Sequence, residues 1–63
     1  MKWLDIDEIV EQLIDQYPDS DPNKILFVDL RLKIINLPEF DDDPNRSNER
    51  ILEAIQQKWI EEK

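Results

Sequence analysis

No glycine, cysteine or histidine occurs in the 63 residues of this chain, and that triple absence limits how it can hold a shape. A disulfide framework is excluded, as are metal staples built on thiolates or imidazoles. A glycine-rich phosphate cradle cannot form, and turns and helix ends fall to Asn, Asp and Pro. What remains is the packing of apolar stripes, and 40% of the residues are hydrophobic. A domain this short buries only about 60% of its unfolded surface. Such a core rarely supplies more than about 3–5 kcal/mol of net stability, and the length leaves room for one domain over residues 1–63.

The first stripe is Ile6, Ile9, Val10, Leu13, Ile14 and Tyr17. Three- and four-residue intervals place these side chains on one side of a helix. Asp5 and Glu8 stand as N-cap and reciprocal N3 partner, a capping box. Trp3 and Leu4 precede the cap, in position to pack back on the first turn as a hydrophobic staple. Pro18 closes the helix, because the residue before a proline is pushed off helical angles.

The acids of this helix, Asp7, Glu8, Glu11 and Asp15, fall within an arc of roughly 100° opposite the stripe. A solvated outer face explains Asp7 and Glu8, which sit where the helix dipole favours anions. It explains Glu11 and Asp15 less well. Asp7–Glu11 and Glu11–Asp15 are like-charge i,i+4 pairs, each costing about 0.2–0.5 kcal/mol, and no basic residue lies between Lys2 and Lys24. A cationic surface or ion using that face would account for the cost. The whole chain carries sixteen acidic residues against eight basic, a formal charge of −8. That balance repels nucleic-acid phosphates and anionic lipids and attracts cationic proteins and metal ions.

Residues 18–24, PDSDPNK, read as a connector in which Asp19, Ser20, Asp21 and Asn23 bond their own backbone and Pro22 opens a short turn. Their D-x-D-x-N spacing lacks the glycine and the twelfth-position glutamate of a calcium loop, which excludes that reading. The segment 25–37 supports two periodicities. Val28, Leu30, Leu32 and Ile34 alternate with charged residues as in a strand, while Phe27, Leu30, Ile34 and Leu37 share a helical face. A lone strand has no partner here. The segment is therefore expected to be a buried central helix over 29–36, with Phe27 in a short extended piece before it. Val28, Leu32 and Ile35 would then form a second apolar side, requiring cover on both flanks.

Leu37 to Phe40 break the pattern, and FDDDPN reads as a loop. Aspartates make turns. Three adjacent carboxylates also raise the local negative potential, but consecutive side chains diverge. Glu39, Asp29 or the acids of the first helix would be needed to complete six oxygen ligands. Ser47 is the expected N-cap of a last helix, with Glu49 in its first turn. Ile51, Leu52, Ile55 and Trp59 form its inward face, Ile60 lies off it, and Arg50–Glu53 and Lys58–Glu62 are expected surface pairs. Trp3 and Trp59 are read as core rather than as stacking platforms. The acidic beginning has no apolar h-region and no run approaches the roughly 20 apolar residues of a membrane span, so a cytoplasmic location is expected.

Phe40-Asp41-Asp42-Asp43-Pro44, Ser47-Asn48-Glu49 and Ile51-Leu52-Glu53-Ala54-Ile55 with Trp59 form one block of motifs. Trp3, Asp5, Glu8-Ile9, Tyr17-Pro18-Asp19 and Asp21-Pro22 form another. Together they resemble the IscX family, small acidic accessory proteins of bacterial iron–sulphur cluster assembly, over almost the full length. The chain departs from the family pattern at Val28, where a threonine is usual, and at Lys33, where an aromatic is usual. The resemblance implies a mostly α, compact small helical domain, winged-helix-like, with three main helices plus a short turn or extended piece. It implies an adaptor that binds the cysteine desulfurase IscS and tunes its activity. Ferredoxin or a frataxin-like competitor would be a further partner, and iron would bind weakly and exchangeably through surface carboxylates.

Placed on this chain, the partner surface is Asp7, Glu8, Glu11, Asp15, Asp41, Asp42 and Asp43. The carboxylates facing a metal are Asp41, Asp42 and Asp43 with Glu39. No tightly bound cofactor, no nucleic-acid or membrane partner and a monomeric state are expected. A second class of function, an acidic DNA mimic or antitoxin-like inhibitor of a basic nucleic-acid-binding protein, uses the same acid arc and differs in its partner. An enzyme is disfavoured, because carboxylate pairs alone, without histidine or a sizeable pocket, rarely make an active site.

Overall fold

Ile6–Gln16 form α1, Phe27–Ile35 form α2, Pro44–Arg46 make one 3-10 turn, and Glu49–Glu62 form α3. A computed structural model describes all residues 1–63, and none of them enters a β-strand. The mostly helical expectation therefore holds, without a stranded wing. Ile9, Val10 and Leu13 of α1 meet Leu52, Ile55 and Trp59 of α3, and Leu30, Ile34 and Leu37 from the α2 region complete one core with Trp3. Ile6, Ile14, Tyr17, Phe27 and Ile51 are partly buried around it.

The ends of the helices follow local chemistry more closely than the sequence reading did. Asp5 is the N-cap of α1, but its side chain makes no capping bond. Instead its Oδ2 accepts from the Lys2 backbone N–H at 2.8 Å, which removes the expected box with Glu8. Of the two staple candidates, Trp3 is buried and Leu4 is 78% exposed. The N-cap of α3 is Asn48 rather than Ser47, its Oδ1 accepting from the Ile51 N–H at 2.9 Å. Both residues are good caps, and Asn48 lies one step nearer the stripe.

The middle segment is corrected in two ways. Phe27 is the first residue of α2, not part of an extended piece before it, with Leu26 as an uncapped N-cap. The helix is also buried on one side only. Leu30 and Ile34 are fully buried, while Val28 and Leu32 remain 61% and 45% exposed. Of the second flank, Val28 and Leu32 are left uncovered, while Ile35 is partly buried against the core.

The 18–24 connector is tied down from α3. Gln56 Nε2 donates to the Pro22 carbonyl at 2.8 Å, and Lys63 Nζ donates to the carbonyls of Pro18 and Ser20. Within it, Asp21 Oδ1 accepts from the Asn23 N–H at 2.9 Å, the expected side-chain turn.

Candidate functional site

Glu8, Glu11 and Asp15 stand exposed along α1, and no basic residue lies on that helix. Asp7 shares their face but not their isolation. Lys58 reaches over from α3 to within 3.4 Å of its Oδ1 and to within 3.3 Å of Glu62 Oε1. The two carboxylates hold the Lys58 ammonium above its ordinary pKa, the hydrogen bond to Glu62 being the larger cause. Asp7, Glu11, Lys58 and Glu62, with Val10 and Ile14 beneath them, line a groove of about 250 Å³ between α1 and α3. Sequence reasoning paired Lys58 with Glu62 but did not place either on the α1 acids. They lie more than forty residues away, and only the packing of α3 on α1 brings them together. The ion pairs of the chain do not include the expected Arg50–Glu53.

The aspartate triplet is engaged differently at each position. Asp41 Oδ1 accepts from the Met1 ammonium at 2.8 Å, with Lys2 Nζ at 3.6 Å. Asp42 is the least exposed, at 12% of its side chain. Its Oδ2 accepts from the Trp3 N–H at 3.1 Å and its Oδ1 from the Asp43 N–H at 2.7 Å. Asp43 Oδ1 caps the 3-10 turn by accepting from the Asn45 N–H at 2.9 Å. The Met1 ammonium also donates to the Glu39 carbonyl at 2.9 Å, and the Trp3 indole N–H donates to the Asp43 carbonyl at 2.7 Å. The triplet thus clasps residues 1–3 to the loop before α3.

The electrostatics follow from these bonds. The hydrogen bond from the Met1 ammonium holds Asp41 below the ordinary carboxylate value, and the N–H groups of Trp3 and Asp43 do the same for Asp42. Met1 is raised in turn, first by Asp41 and more weakly by Glu8 and Asp5. One positive group therefore joins the first turn of α1 to the triplet, while Glu11 and Asp15 lie one and two turns further along the helix.

Iron is the metal that the family resemblance implies, held by surface carboxylates. A hard cation needs several oxygens converging on one point. No three acidic side chains of this chain converge in that way. The donors taken up by Asp41, Asp42 and Asp43 show why: each carboxylate is oriented by a different bond. Glu39 contributes its backbone carbonyl to the clasp. The residues do not form a resident metal site.

A family described as iron–sulphur cluster assembly matches the chain over residues 1–63. An uncharacterized protein of Pseudomonas aeruginosa is similar to it at 54% identity over 63 residues, which span 100% of this chain and 96% of that relative. No helix is long and apolar enough to cross a membrane.

Proposed function

The chain belongs to the IscX family of iron–sulphur cluster assembly proteins, and we propose that it serves there as an acidic adaptor rather than as a catalyst. Its docking surface is the outer face of α1, with Glu8, Glu11 and Asp15 at the centre, Asp7 and Glu62 at one edge, and Asp41 beyond the first turn. The partner is the cysteine desulfurase IscS, engaged through a basic patch. What carries the reading is the exposure of the α1 acids without a cation on their own helix, in a family devoted to cluster assembly.

Attraction between such surfaces acts mostly on the rate of encounter and is screened over about 8–10 Å at ordinary ionic strength. Iron, on this account, is a cargo ion attracted weakly to the acidic surface and exchanged freely, since no preformed set of ligands holds it. The test is a binding titration of the chain against the desulfurase at rising salt, repeated with Glu11→Lys/Asp15→Lys. Affinity is expected to fall with salt and with the double reversal. Capture of a nucleic-acid-binding protein in place of a pyridoxal-phosphate enzyme would instead support the DNA-mimic reading.

A further inference from the structure

The α1–α3 groove at the edge of the acidic surface already holds a cation of the chain's own. The Lys58 ammonium lies 3.4 Å from Asp7 Oδ1 and 3.3 Å from Glu62 Oε1. Glu11 lines the same groove, over Val10 and Ile14, and is paired with no basic side chain. Three carboxylates thus face one ammonium. The open space is about 250 Å³, below the roughly 300–1,000 Å³ of pockets that take drug-sized molecules. It suits a single side chain. A lysine or arginine entering it would lay its aliphatic stem on the apolar floor and keep its head among the carboxylates. There it would meet Lys58 as a like charge, which opposes association.

The Lys58 contact is built to be displaced. Both distances exceed the about 2.7–2.9 Å of a strong charge-assisted bond. Asp7 is 87% exposed and Glu62 51%, and ion pairs so exposed contribute little to folding. The packing of α3 on α1 rests on Ile9 and Leu13 with Ile55 and Trp59, and none of these needs Lys58 in place. The two carboxylates also raise the lysine's pKa, so it competes with a full charge.

We propose that Lys58 is an internal competitor that holds the acidic surface in check. A basic side chain of the partner takes its place between Asp7 and Glu62, and Lys58 swings out to solvent. Arginine is the better occupant, because its planar fork presents several donors at once where the lysine offers a point charge. The inference rests on the α1 reading above and adds to it a threshold. A surface with scattered lysines gains little over Lys58, whereas one that presents an arginine at this edge displaces it.

The experiment compares desulfurase binding by four full-length chains at low salt: natural, Lys58→Gln, Lys58→Arg and Arg50→Gln. Arg50 is exposed on the same helix and lies outside the groove, so Arg50→Gln removes the same charge elsewhere. Lys58→Gln is expected to tighten binding by about 1.5- to 5-fold, the span of an exposed ion pair. Arg50→Gln is expected to tighten it less, and Lys58→Arg not at all. Melting curves establish that each variant is folded. In the complex, the NMR signal of the Lys58 methylene beside the ammonium is expected to move. Its new position should be the one it takes in Asp7→Asn/Glu62→Gln, where no carboxylate holds it.

Equal gains from Lys58→Gln and Arg50→Gln would overturn the proposal, since net charge alone would then explain both. So would a Lys58→Arg chain that binds as tightly as Lys58→Gln, or a methylene signal that stays where it is. If the natural chain still binds in a salt-dependent manner, those results leave the α1 reading standing. Binding that ignores salt in all four chains would remove that reading and this one together.

Discussion

The indole N–H of Trp3 donates to the Asp43 carbonyl at 2.7 Å, whereas Trp59, equally buried in the same core, has no acceptor for its own indole N–H. The two tryptophans fill similar space under different polar conditions. Replacing each with phenylalanine removes a similar volume but breaks a hydrogen bond only at Trp3. At position 59 the change removes a buried donor that has no partner, which offsets part of the loss. Trp3→Phe is therefore expected to destabilise the fold by about 0.5–1.5 kcal/mol more than Trp59→Phe. Urea midpoints of the two variants measure the difference, and an equal or larger loss from Trp59→Phe would contradict it.

Acid should loosen the clasp. Asp41 and Asp42 both lie below the ordinary carboxylate value in the folded chain. The unfolded chain then binds more protons in acid, so the stability these groups add is complete above the ordinary value and is lost as pH falls through the folded ones. Asp42→Ala removes the acceptor for the Trp3 and Asp43 N–H groups. It is expected to lower stability at neutral pH and to flatten its decline in acid. Denaturation curves across the acid range provide the measurement, and an unchanged acid slope would show that the triplet does not stabilise the fold.

Glu11 should trade stability against binding. Neutralising it relieves two like-charge neighbours, Asp7 and Asp15, each pair worth about 0.2–0.5 kcal/mol on a helix. Glu11→Gln is thus expected to unfold at slightly higher urea while binding the desulfurase more weakly. A variant that gains stability with unchanged affinity would leave the acid face with no role beyond solubility.

Lys58 makes the converse case. It is the one side-chain cation paired with an acid of α1, held by Asp7 and Glu62, and exposed ion pairs contribute little to folding. Lys58→Gln leaves a more negative groove, so association with a basic partner is expected to quicken at low salt while thermal unfolding stays nearly unchanged. Stopped-flow association and a melting curve test the two halves. Slower association would mean that the partner reads Lys58 itself.

The elements legible in the sequence were those set by a single period. The stripe from Ile6 to Tyr17 and the one from Ile51 to Trp59 each match one helical face and one buried surface. Segment 25–37 was harder, because Val28 and Leu32, in step with Leu30 and Ile34, mimic strand alternation and, with Ile35, suggest cover on both flanks. Short-range competition moved the caps: Asp5 turned back to Lys2, and Asn48 displaced Ser47. The acids of α1 were readable as a face, since spacing alone sets it. The fate of Asp41 and Asp42 was not, because their donors Met1 and Trp3 lie about forty residues away in the chain. Nothing local distinguishes an aspartate that clasps a terminus from one that waits for a cation.

The central claim is that the exposed acids of α1 recognise a basic partner. The measurement that tests it most directly is the rate of association with the desulfurase, for the natural chain and for Glu11→Gln/Asp15→Gln, from low salt to about 0.5 M, where screening cuts to a few ångströms. The account predicts a steep fall with salt for the natural chain and a slower, flatter profile for the variant, with the two converging at high salt. Coincident profiles that ignore salt would contradict it.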